Sequence, residues 1–150
     1  PQHDSAMPET PADFLRRLIN NLPAIKRDIL QKIVAVEAER QWADNFRKEG
    51  FTDRSLTKWP ARKKQESPQR ALLVKTSTLK GHALKGRVSG DSVDFVFPLE
   101  YERVHNEGLR AGRGGGFQMP KRQFIGESYV LNQRIQKKVT AYLKTFLNQP

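Results

Sequence analysis

The sequence predicts an α+β fold: a long N-terminal helix, a small antiparallel β-sheet with a hairpin, and a C-terminal helix packed on the sheet. Three observations carry that reading. Apolar residues recur at helical spacing from Ile25 to Phe46, and again from Val130 to Phe146. Between these stretches Val93, Phe95 and Phe97 alternate with Ser92, Asp94 and Val96, directly after the turn signal Ser89-Gly90-Asp91. The 150 residues suit one domain, assigned to residues 13–150 behind a flexible tail at 1–12.

The tail is polar and proline-rich, a composition that cannot bury itself. The stretch from Ala12 to Leu22 reads as one or two helical turns with Thr10 or Asp13 as the cap, and Pro23 is expected to break or restart the helix. From Ala24 to about Lys48 the helix is clear. Ile25, Ile29, Ile33 and Val36 recur at spacings of three and four, and Trp42 and Phe46 continue the face. Glu37, Glu39, Arg40 and Lys48 fall on the other face, and Gly50 is the expected stop.

The next twenty residues are basic, polar and interrupted by Pro60 and Pro68. They read as an extended arm, mobile near 51–70, with Trp59 as its one large anchor. A strand or short helix is expected at 71–75, and a strand near His82–Val88 completes the hairpin with the Val93 strand. "LEYERVHNEG" reads as a short helix or turn closing at Gly108, followed by a glycine-rich mobile loop at 109–118. "QFIG" at 123–126 suits a short strand. Glu127 or Ser128 opens the last helix, whose stripe is Val130/Leu131, Ile135, Val139, Tyr142/Leu143 and Phe146.

Charge is the strongest compositional feature. Lys and Arg total 27 against 16 Asp and Glu, a formal net charge of +11. From Arg54 to Arg87 there are ten basic residues and one acid, Glu66. Such a balance favours a polyanionic partner, either nucleic acid or an acidic protein face. It also suits a merely solvated surface. The absence of cysteine excludes disulfides and thiolate chemistry. No apolar run reaches the roughly 18 residues that span a membrane. The chain starts at Pro1, so a processed or trimmed start is expected, in a soluble protein made in the cytoplasm.

Catalytic patterns fail one by one. His3, His82 and His105 are far apart and have no metal-ligand spacing. His105 beside Glu102 or Glu107 could act as a general base, but no nucleophile accompanies it. A nuclease of the His-Asn type needs further His or Asp ligands downstream, and none follows Asn106. "GRGGGF" lacks the Gly-Lys-Ser/Thr ending of a phosphate loop. It reads as a loop ordered by a partner, with Arg110 and Arg113 supplying charge. Arg62, Lys63 and Lys64 could meet phosphates, with Trp59 near enough to stack on a base. A basic nucleic-acid-binding module is therefore the alternative reading. No cofactor or metal is expected.

The order of the motifs carries a resemblance. A long helix precedes "LTKWPARKK", then "LLVKTSTLKGHAL" with Leu79, then a hairpin. Tyr101-x-x-Val104-His105-x-x-Gly108 follows, and after a gap comes Pro120-x-Arg122-x-Phe124-Ile-Gly126 before the last helix. From about Leu30 to the C-terminus this resembles the phage virion morphogenesis family, the tail-completion proteins of tailed phages. The sequence departs from it at Thr76-Ser77-Thr78-Leu79, where many members have Thr-Gly-x-Leu, and at Tyr101-Glu102-Arg103, where many have Tyr-Ala. The resemblance implies a non-enzymatic virion protein of the neck or tail, assembled in the host cytoplasm. It implies a homo-oligomeric ring, a hexamer being expected, with neighbouring neck and tail proteins as partners and DNA in the channel. On that basis Tyr101, Val104 and His105 close a turn and Gly108 releases the loop. Phe124 enters the core, and Arg122 rests on a backbone or an acidic partner.

Overall fold

The computed structural model describes residues 7–62, 85–96 and 100–149 and has the α+β architecture. Thr10 caps the first helix, its Oγ1 accepting the Asp13 N–H at 3.1 Å, so helix α1 (Pro11–Asp28) starts just inside the expected tail. Pro23 does not end it. The helical rod runs through a π-helical turn at Ile29–Val34 into α2 (Ala35–Lys48). Pro23 lies on the exposed side, while Ile25 next to it is buried and anchors the rod.

The π turn re-phases the apolar face. The Ala35 N–H donates to Leu30 O, five residues back, which widens one turn by a residue. Leu30, Ile33 and Ala35 are therefore buried, while Ile29 is half-buried and Val36 is exposed, against the strict 3.6-residue expectation. Downstream the stripe regains its period, and Ala38, Trp42 and Phe46 are buried as expected.

Gly50 is not the helix stop. Glu49 takes the left-handed conformation, φ 50°, and Gly50 opens strand β1 (Gly50–Thr52). A side chain at Gly50 would meet Thr57 O at 2.6 Å, so the glycine permits close pairing with β2 (Leu56–Lys58). The expected arm is thus a tight hairpin in its first part. Trp59, which ends it, is buried, its N–H donating to Glu49 O at 2.7 Å. The strands β3 (Arg87–Ser89) and β4 (Ser92–Asp94) form the predicted hairpin about Gly90, with Val88 opposite Val93. The reading at 71–75 lies outside the described residues.

Helix α3 (Glu100–Glu107) leads into a third hairpin, β5 (Arg110–Ala111) with β6 (Phe117–Gln118), where a structureless loop was expected. The three ladders among the described residues are separate two-stranded units. Helix α4 (Tyr129–Leu147) lies along α2 and the π turn. Its start is doubly fixed: Ser128 Oγ accepts the Leu131 N–H and donates to Thr52 O, and Asp53 Oδ1 accepts the Tyr129 N–H at 2.8 Å. The core is largely aromatic. Trp42 stacks on Phe51 and meets Phe95 edge-on, while Phe46 packs between Trp59 and Phe124.

Candidate functional site

The two halves of the sequence motif, 101–108 and 120–126, meet in space against the aromatic core. Helix α3 buries both Val104 and Asn106. Its last turn closes with the Gly108 and Leu109 N–H groups both donating to Val104 O. Gly108 has φ +68°, and a Cβ there would press on Lys121 at 2.8 Å, so the chain turns out through a position only glycine fits. The return segment runs back against α3: Met119 N–H donates to Leu109 O, and Arg122 N–H to His105 O at 2.9 Å.

The return segment is not the strand expected at 123–126. From Gln123 to Ile125 side chains bond its backbone. Asn106 Oδ1 accepts the N–H groups of both Phe124 and Ile125, at 2.9 and 3.0 Å. Asn45 Nδ2 on α2 donates to Phe124 O at 3.0 Å. Two buried asparagines thus take the place of a neighbouring strand and hold the backbone of Phe124, whose side chain is fully buried. The sequence reading missed both. Asn106 stands inside "VHN", which the sequence offers only as a His-Asn nuclease element and not as a backbone clamp. Asn45 breaks the apolar face one residue before Phe46, and that break was the available signal.

Arg122 resolves the choice between backbone and acidic partner in favour of backbone. Its Nε and Nη2 donate to Pro60 O at 3.0 and 2.9 Å, and Nη2 also reaches Ala61 O. Trp59 Nε1 donates to Gln123 O at 2.7 Å, so the Trp59–Ala61 stretch and the return segment clasp each other. Trp59 is only 7% exposed and has no open face for a base. Pro120 and Gly126 are half-buried at the two ends of the return segment. Tyr101 stands in the first turn of α3, its side chain outside the description; Leu79, Lys63 and Lys64 also lie outside the described residues.

His105 is half-buried. Burial, with the Arg122 charge adding to it, pushes its pKa below the ordinary value of 6.5, so the ring is neutral at pH 7. Its Nδ1 has no hydrogen-bond partner among the described residues. Glu107 is drawn towards Arg103, which also holds Glu100 at 2.7 Å. Glu102, on the inner side of α3, is fully buried.

What the clasp leaves outside is the β5–β6 hairpin. Phe117 is 59% exposed, Arg113 is exposed, and Arg110 braces the turn by donating to Gly115 O. Arg62 is half-buried, close enough to add its charge to the surroundings of Arg122.

A second polar cluster joins α2 to α4. Glu37, expected on the outer face, is 1% exposed. Its carboxylate meets Lys138, Arg134 at 2.8 Å and Arg40 at 3.4 Å, and Arg134 also donates to Gln41 Oε1. Burial alone would raise its pKa, but Lys138, Arg40 and Arg134 together lower it. The π turn rotated this residue inward, and α4 supplied two of the three cations.

Among the described residues no group of three or more His, Asp and Glu could hold a metal ion, and no helix is long and apolar enough to cross a membrane. A cleft of about 390 Å³ beside the clasp mixes Lys58 and Lys121 with Asp53 and Glu127, and Lys58 is already bonded to Lys48 O at 2.8 Å. Set against known proteins, the chain matches no family model, no curated protein and no solved structure.

Proposed function

We propose that this chain is a structural subunit of a tailed-phage virion, one member of a homo-oligomeric ring that completes the tail and joins it to the head. The observation that carries the reading is the direction of the polar groups in the two motif halves. Asn106 and Arg122 are both spent on the chain's own backbone, at Phe124, Ile125, Pro60 and Ala61. A motif built this way fixes the base of a projecting hairpin; it does not aim reactive groups at a substrate. The hairpin then offers Phe117 and Arg113 to a neighbouring subunit. Leu15, Ile19 and Leu22 form an exposed apolar stripe on α1 that a ring neighbour also suits. On this reading His105 is a neutral structural residue, and no cofactor is involved.

The test is electron microscopy of particles from a phage or prophage-like element lacking this chain. Filled heads beside unjoined or over-long tails are expected, and normally joined particles would overturn the proposal. The hairpin's part is tested by deleting residues 111–116. Loss of rings with an unchanged fold is expected, and intact rings would remove the hairpin from the interface.

A further inference from the structure

We infer that the outer face of α4 binds the phosphate backbone of duplex nucleic acid. After Glu127 the chain contains no Asp or Glu at all, and α4 carries Arg134, Lys137, Lys138 and Lys144. The fold divides these four. Arg134 and Lys138 turn inward to Glu37. Lys137 and Lys144 stay exposed, with no ion pair among the described residues. They belong to the stripe Gln133, Lys137, Thr140 and Lys144, spaced four, three and four, which is one line along a helix. All four are exposed, so the line holds two cations separated by neutral hydrogen-bonding groups.

The line continues beyond the helix start. Arg54, from the β1–β2 turn, sits over the exposed Tyr129 ring at 4.1 Å, one turn before Gln133. From Tyr129 to Lys144 the stripe spans about 22 Å at 1.5 Å per residue. Two carboxylates stand at that end: Asp53, whose Oδ1 accepts the Tyr129 N–H, and the exposed Glu127 just before the helix.

The lack of a series of open rings along the stripe selects the form of nucleic acid. Single strands gain much of their affinity from bases stacked on aromatic side chains. Arg54 takes one face of Tyr129, which is the lone ring of the stripe, and the rest of the stripe is polar. A rigid row of spaced lysines and amides instead suits the regular phosphates of a duplex, without sequence preference. This assignment goes beyond the assembly reading and stands without it. It also differs from the sequence-level candidates, because Arg110 is turned onto its own hairpin.

The experiment is fluorescence anisotropy of a short labelled duplex with the purified full-length chain across a salt series. The wild type is compared with K137Q/K144Q and with R110Q/R113Q. Binding at low salt that weakens as salt rises is expected. K137Q/K144Q is expected to bind more weakly and to lower the slope of log affinity against log salt by about 2, one per phosphate contact. Its melting temperature should match the wild type, because both side chains are exposed. Absence of binding at low salt, an unchanged slope in K137Q/K144Q, or loss confined to R110Q/R113Q would each overturn the inference. So would a tighter hold on polyglutamate than on duplex, which would make the partner an acidic protein. Ring formation is read separately, so failure here leaves the assembly proposal standing.

Discussion

Two buried polar clusters hold this molecule together, and they work differently. Around Phe124 the partners are two asparagine amides, Asn45 and Asn106, and the backbone carbonyls that receive the Arg122 guanidinium, with no ion pair among the described residues. Around Glu37 they are ionic, with one carboxylate facing three cations whose side chains are 33–59% exposed. The first cluster fixes the path of an irregular backbone. The second fixes which face of α4 meets α2. Neutral hydrogen bonds in a closed site are insensitive to salt, whereas half-exposed ion pairs are screened and follow pH. The motif region's hydrogen bonds should therefore tolerate salt that loosens the helix pair.

The largest break expected is Phe124→Ala, which empties the centre of the aromatic core and should cost about 4 kcal/mol in denaturant unfolding. A variant as stable as the wild type would remove Phe124 from the core. Asn106→Ala comes next, at about 2 kcal/mol, because it strands two N–H donors at once. Its loss should be the same in low and high salt; a marked salt dependence would contradict the neutral character of the site. Glu37→Gln is smaller, about 1–2 kcal/mol, since water already reaches parts of Lys138, Arg134 and Arg40. Its effect should shrink at high salt, and a salt-independent loss would erase the contrast between the clusters.

The acid limb separates the two regions further. The His105 pKa is lowered from 6.5, so the unfolded chain binds the proton more readily. Stability should fall as pH drops below about 6.5 towards the folded value, and His105→Gln should flatten that limb. The Glu37 pKa is lowered from 4.5, so its contribution is present above that value and is lost as pH falls below it. Glu37→Gln should flatten only this lower limb. Thermal melts at closely spaced pH values read both, and a single common limb would show that one group dominates. The smallest effect belongs to Phe117→Ser, within about 0.5 kcal/mol, because the ring is mostly exposed in the isolated subunit.

Local pattern made most of the elements legible. The period of Trp42 and Phe46, the Ser89-Gly90-Asp91 turn and the Ser128 cap each follow from chemistry within a few residues. The β1–β2 hairpin was missed because its strands are three residues long, too short for an alternation, and its close pairing rests on Gly50. The candidate site was legible as two motif halves and a projecting segment between them. Its fastening was not, because Asn45 acts across 79 residues and Arg122 across 62.

The sequence by itself determined the fold class, the strong positive charge, the glycine exit at Gly108 and an acid-free last helix, all of which are properties of composition or near neighbours. Only the tertiary structure decided that the rod passes through Pro23, that a π turn carries Glu37 inward, and that Arg134 and Lys138 pair with it while Lys137 and Lys144 do not. The last two share a physical reason. A buried polar group is stable only where distant partners satisfy it, and those partners are set by how the helices pack rather than by spacing along the chain.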